Sequence, residues 1–278
     1  MRLTAQATGW ALGTCRLTAL ARASVGRVPW HSGGMCGRYA STRSPQDLTS
    51  LFHVTDWRPD ETLAPSWNVA PTDQVYAVLQ RVSRDGSDEV RRELRALRWG
   101  LVPSWAKDPK AGSRMINARV ETVHEKPAYR RAFAERRCLL PADGFYEWEP
   151  VKDEKSGKTR KQPYFIHPAD GQVMAMAGLY EYWRNPDVTN NDDPDAWLIT
   201  CTIITTEATD EAGRVHPRMP LALTPGHYDA WLDPHHHDTE DLRALLTRPA
   251  DGNLNARPVS TAVNNVRNNG PQLLDTAT

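Results

Sequence analysis

The ten residues Trp197–Thr206 hold three isoleucines and four threonines, and they restrict the fold more than any other segment. β-Branched side chains crowd a helix at χ1 and pack well on a pleated surface, so this run predicts a strand. A strand of that length needs partners, and the sequence offers several. Gln74–Val82 alternates as a strand, Arg84-Asp85-Gly86-Ser87 reads as a turn, and Glu93–Leu101 reads as the returning strand. Arg137–Leu140 and Gly144–Trp148 read as strand pieces around a Pro141–Gly144 turn. Tyr164–His167 and Gln172–Tyr180 flank Pro168-Ala169-Asp170-Gly171, which predicts a hairpin. Lys152–Lys161 and Asn185–Asp195 read as polar loops. Helices are expected to be few and short: one from Ser44-Pro45 through Leu48, Leu51 and Phe52, one over Lys126–Arg137, one after Thr224-Pro225 and one over Asp238–Leu246. Antiparallel strands with interspersed helices define an α+β class. No repeat or linker divides residues 35–278, which read as a single domain.

Residues 1–34 differ from the rest. They carry Arg2, Arg16, Arg22 and Arg27 but no acidic residue. A transit peptide has that composition, whereas a secretory signal needs an apolar stretch that is missing here. The preferred reading is a translation start at Met35, with the upstream residues either mis-assigned or removed. No stretch reaches the roughly 18 apolar residues of a membrane span. Lys plus Arg equals Asp plus Glu at 34 each, so any affinity for nucleic acid must come from a local basic surface. The four cysteines, Cys15, Cys36, Cys138 and Cys201, form no C-x-x-C pair and no disulfide framework, which points to a reducing, cytoplasmic compartment.

Three motif fragments fail on spacing. Ser156-Gly157-Lys158-Thr159 lacks the upstream glycine of a phosphate loop, because position 152 is Lys. His124-Glu125 lacks the second His of a metalloprotease helix, because position 128 is Ala. Asp233-Pro234-His235-His236-His237-Asp238 lies in a loop between helices. No metal or cofactor is expected.

Five segments stand apart: Met35-Cys36-Gly37-Arg38-Tyr39, Trp67–Thr72, Ile116–Thr122, Ala142–Trp148 and Val215–Pro220. With Trp99–Trp105 and the tail Val259–Pro271, they resemble, in order, the signature blocks of the SOS response-associated peptidase family. The resemblance covers essentially all of residues 35–278. It implies antiparallel sheets forming a barrel-like core flanked by short helices. It also implies a reaction: after removal of Met35, the amine and thiol of Cys36 close on the aldehyde of an abasic site in single-stranded DNA, giving a thiazolidine crosslink.

The residue chemistry agrees. A free α-amino group has a pKa of about 7.7–8.0, so a useful fraction is neutral near pH 7. Only an N-terminal cysteine presents amine and thiol in five-membered-ring geometry, because within a chain the nitrogen is an amide. The resemblance further assigns Asn117 to holding Cys36, Glu147 to proton shuttling, and His216 to sugar ring opening. It assigns Arg38, Arg119 and Arg218 to phosphates, Asn68 and Pro71 to the lesion pocket, Trp105 to stacking, and Thr205 and Thr206 to the same neighbourhood. Each residue also has an ordinary structural explanation: Cys36 as a small buried side chain, Asn117 as a cap, Glu147 as a surface strand residue, and His216 as a structural residue before Pro217. Two departures from the family stand out, Ala106 where a second aromatic is common and Pro217 where Asp is common. The expected partner is single-stranded DNA with abasic sites, including single/double-strand junctions, bound by a monomer. The competing readings are a cysteine-dependent peptidase, including one that frees Cys36 by self-cleavage, and a noncovalent single-stranded DNA reader.

Overall fold

A computed structural model describes residues 36–83, 87–152, 157–247 and 254–277. The leader at 1–34 and most of the expected Arg84–Ser87 turn lie outside the described residues.

Among the described residues the chain forms fourteen strands. They are β1 (Tyr39–Ser41), β2 (Asp56–Trp57), β3 (Ser66–Val69), β4 (Gln74–Val82), β5 (Val90–Trp99), β6 (Asn117–Arg119), β7 (Arg137–Ala142), β8 (Gly144–Lys152), β9 (Thr159–Pro168), β10 (Met174–Arg184), β11 (Trp197–Glu207), β12 (Arg218–Pro220), β13 (Ala222–Leu223) and β14 (Leu254–Pro258). Five α-helices accompany them: α1 (Pro45–Leu51), α2 (Arg130–Glu135), α3 (Asp210–Val215), α4 (Tyr228–Leu232) and α5 (Thr239–Leu246).

Five strands close on themselves. β4 pairs with β5 and β7, β7 with β10, β10 with β11, and β11 returns to β5. The class is α+β, as expected, but the closing pair is parallel, with Thr200 opposite Arg98. β6 also runs parallel to β11, and β2 to β5. Closure leaves no free edge on the ring. Inside it, side chains at every second position, including Val75, Leu79, Leu97, Cys138, Leu140, Met176, Tyr180 and Ile203, form one buried cluster. The outer face of β4, β7 and β10 is covered by helices, where Phe133, Trp231, Leu242 and Leu246 pack on Val78, Leu139 and Leu179.

A second sheet, in the order β14-β9-β8-β1-β3, is antiparallel throughout. One face turns Tyr39, Phe145 and Ile166 toward the barrel cluster. Its other face is covered by Val259, Val263 and Leu274 of the C-terminal segment. The chain crosses from β7 in the barrel to β8 in this sheet through Asp143 alone. Gly144 makes that crossing: a Cβ there would lie 2.6 Å from the Ile166 carbonyl oxygen.

Two expectations are corrected. The predicted hairpin around Pro168–Gly171 does form a turn, with Gly171 at φ +70. However, β9 and β10 belong to different sheets, so the segment is a crossover. The helix expected over Lys126–Arg137 begins as turns and is α-helical only over Arg130–Glu135. Pro127 disfavours helical geometry in the residue before it.

Candidate active site

Cys36 precedes β1, the strand between β3 and β8. The β1–β8 ladder extends back toward it through the Tyr146 N–H, which donates to the Arg38 carbonyl at 2.9 Å. This alignment brings Glu147 of β8 under the Cys36 backbone, and the Cys36 nitrogen donates to Glu147 Oε1 at 2.7 Å. From the barrel side, Asn117 opens β6, and its Nδ2 donates to the Cys36 carbonyl at 3.1 Å. The Asn117 carbonyl in turn accepts from the Tyr129 hydroxyl at 3.3 Å. His216 caps the C-terminus of α3, its own N–H bonded to the Ala212 carbonyl at 2.9 Å. Its Nδ1 lies 3.7 Å from Glu147 Oε1. The four expected catalytic residues therefore converge from four separate parts of the fold. Pro217 does not disturb the imidazole, because the next residue's N–H, that of Arg218, lies 3.2 Å from Nδ1 and orients the ring.

The pocket is electrically quiet. Glu147 is 3% exposed, and burial pushes its carboxyl up to about 8; the N–H groups of Cys36 and Trp148 and the charge of Lys161 only partly oppose this. Burial, and next the Glu147 carboxylate, push the Cys36 thiol well up. Burial lowers the His216 pKa, although the Arg218 carbonyl, 3.1 Å from Nδ1, acts the other way. Near neutrality the thiol is therefore protonated, the imidazole is neutral, and Glu147 carries an exchangeable proton. Such a group can give or take a proton at working pH.

The residues assigned to DNA divide into two sets. On the open side, Trp105 is 69% exposed. Its turn is pinned by the Ala106 N–H donating to the Pro103 carbonyl at 2.9 Å and by Trp183 Nε1 donating to the Ala106 carbonyl at 2.7 Å. Arg119 is exposed and Pro71 half-buried. Arg218 Nη2 donates to the Thr205 carbonyl at 2.6 Å, and the guanidinium also pairs with Glu121. Thr205 is buried, and Thr206 lies opposite Met219 in the ladder.

Arg38 and Asn68 form the second set. Arg38 Nη1 donates to Asn68 Oδ1 at 2.8 Å and to the Val263 carbonyl at 2.9 Å. Asn68 Nδ2 reaches the carbonyls of Val263, Asn265 and Asn268 at 3.3, 3.1 and 2.9 Å. Both side chains are committed to the C-terminal segment that backs the second sheet. The sequence reading also left Glu121, Tyr129 and Lys161 without roles. Glu121 lies within a quoted signature block, but its pairing with Arg218 spans distant segments and has no local signal.

Among the described residues no group of three His, Cys, Asp or Glu side chains is placed to hold a metal. Nor is any helix there long and apolar enough to cross a membrane.

Fold and site together define a closed-barrel protein that sets a cysteine backbone nitrogen on a buried carboxylate. The model of the SOS response associated peptidase family matches residues 35–266. The abasic site processing protein YoqW of Bacillus subtilis (strain 168) is 39% identical over 241 residues, covering 87% of this chain and 99% of that protein. The abasic site processing protein HMCES of Xenopus tropicalis is 32% identical over 275 residues, covering 86% of this chain and 78% of that one. A crystal structure of a Bacteroides thetaiotaomicron protein superposes with a TM-score of 0.69 at 23% identity, over 87% of this chain and 100% of that one. The chain belongs to the SOS response associated peptidase family.

Proposed function

We propose that this protein processes abasic sites in single-stranded DNA, and that it does so by crosslinking to them through Cys36 in a chain that begins at that residue. The observation that carries the reading is the 2.7 Å contact between the Cys36 nitrogen and the buried Glu147 carboxyl. The relatives named as abasic site processing proteins supply the substrate class. The family match starting at residue 35 supports Cys36 as the first residue of the active form.

The steps balance without an oxidant or cofactor. The neutral amine adds to the aldehyde carbon of the ring-opened sugar, forming a C–N bond and a carbinolamine. That species loses its hydroxyl as water: Glu147 donates the proton the leaving oxygen needs and takes back the one the nitrogen releases, leaving a neutral imine. The thiol sulfur then adds to the imine carbon, while the thiol proton passes to the nitrogen through Glu147. One water is lost overall. His216 transfers the proton at the sugar ring oxygen that opening requires. Asn117 fixes the Cys36 carbonyl so that amine and thiol face one carbon. Arg119 and Arg218 face phosphates, and Trp105 stacks on a base beside the lesion. The raised thiol pKa disfavours a cysteine-peptidase relay, which needs a stabilised thiolate.

The test is a denaturing gel with single-stranded DNA carrying one abasic site. A heat-stable adduct is expected from the chain starting at Cys36, and none from Cys36→Ala or from a chain with an acetylated amine. Equal adduct from the acetylated chain would overturn the reading. Salt-sensitive binding that survives Cys36→Ala with no adduct in any form would instead identify a noncovalent reader.

A further inference from the structure

The closed barrel has two ends. Cys36 and its partner Asn117 sit toward the C-terminal half of β11, where Asn117 lies opposite Ile203. Trp197 begins β11, roughly 20 Å away at ~3.3 Å per residue. There the inner face of the barrel turns from apolar to charged. β4 runs Val75, Ala77, Leu79 and then Arg81 along one face, and β5 runs Leu97, Arg95, Glu93 and Arg91 in the same direction. These strands, with Tyr182, Trp197 and Ile199, frame an open cavity of about 710 Å³. That is the size of a small-molecule site, and barrel mouths are a common place for one.

The cavity has a fixed floor and exchangeable walls. In the floor, Arg81 Nε donates to Glu93 Oε1 at 2.8 Å and its Nη1 to the Tyr182 hydroxyl at 2.6 Å. Arg95 Nε donates to both Glu61 carboxylate oxygens at 2.9 Å. These half-buried pairs hold the guanidiniums in place. The walls carry Arg58, whose side chain is 57% exposed and 4.0 Å from Glu61, and Arg91, 43% exposed, which pairs with the exposed Glu89 and makes a further contact. Guanidiniums this exposed hold their partners weakly and keep donors for a doubly charged anion. Beside them Trp197, 47% exposed, presents an indole. Arg184 lies 5.7 Å from its ring centroid. Guanidiniums for a phosphate beside an exposed aromatic face for a ring form a recognition set for one chemical class.

We propose that this mouth binds a nucleoside phosphate, with the phosphate on Arg58 and Arg91 and the base on Trp197. A free nucleotide and a nucleotide within a single strand share that chemistry. The site lies apart from Cys36 and does not depend on the crosslinking reaction.

Calorimetric titration of the full chain with thymidine 5′-monophosphate, inorganic phosphate and lesion-free oligothymidylate tests the proposal. The comparison proteins are the double variant Arg58→Glu, Arg91→Glu and the variant Trp197→Ala, each first checked for an unchanged melting temperature. Thymidine monophosphate is expected to bind more tightly than phosphate, and both variants are expected to weaken it about ten-fold or more. If only oligothymidylate binds, and both variants weaken it, the proposal holds with a single strand as the source. Binding that neither variant alters would overturn it, as would no binding of either nucleotide probe. Thymidine monophosphate binding no tighter than phosphate would overturn the assignment to a nucleoside.

Discussion

At the scale of single residues, Glu147, to which the proposed reaction assigns the proton transfers, carries a stability cost. Its folded pKa of about 8 lies well above the ordinary carboxyl value. Between those two values the folded state keeps a proton that the unfolded chain has lost. Stability is therefore fully present below about pH 4.3 and falls as pH rises toward 8. His216 acts in the opposite sense: its lowered pKa gives stability above the ordinary histidine range that is lost as pH drops through the lowered folded value. Glu147→Gln keeps an oxygen for the Cys36 N–H and removes the charge. Thermal melts should show this variant more stable than the parent at pH 8.5, by ~1–3 kcal/mol, and nearly equal at pH 5. Its adduct should form about 100-fold more slowly in single-turnover time courses. Cys36→Ser retains the amine but not the sulfur. It should give a Schiff base trapped by borohydride, and no heat-stable adduct without the reductant.

At the scale of elements, two buried polar side chains hold distant segments together. Asn68 gathers three carbonyls of the C-terminal segment, and the segment in turn backs β1, which follows Cys36, and β8, which carries Glu147. Asn68→Ala leaves those carbonyls without a donor and should cost ~2–4 kcal/mol in denaturant titrations. Hydrogen exchange should quicken over 263–269 before it does in the barrel. Arg137, 3% exposed, donates to the carbonyls of Trp231 at 2.7 Å and His236 at 2.8 Å, and also to those of Phe133, Ala134 and Asp233. It fastens the ends of α2 and α4 to β7. Arg137→Ala should lower stability by ~3 kcal/mol or more without changing the adduct rate of the folded fraction. Such roles were not legible locally. Arg38 and Asn68 sit in signature blocks that suggest ligand contact, while the carbonyls they bond within the fold lie some 200 residues further along. By contrast, β4 and the α1 cap at Ser44 were fully legible, because alternation and capping are local signals.

At the scale of the whole molecule, the class could be read from the sequence but the closure could not. The β-branched run gave β11 almost to the residue. That β11 also returns to β5 in parallel is set by burial on both faces, which a single strand pattern does not encode. The Pro168–Gly171 hairpin failed for the same reason. Its turn chemistry was right, but each flanking strand was claimed by a different sheet. Convergence of Cys36, Asn117, Glu147 and His216 needs the pairing of β6 with β11 and the packing of β8, through Phe145, against the barrel cluster. The central claim is that this end performs one covalent reaction, through a nitrogen that must be an amine. Intact mass spectrometry tests it directly, on protein expressed from the native gene, before and after mixing with single-stranded DNA bearing one abasic site. The expected product is a chain beginning at Cys36 that gains the mass of the oligonucleotide less one water. A chain that begins at Cys36 and gains nothing, or one that still begins at Met1 and forms the adduct, would contradict it.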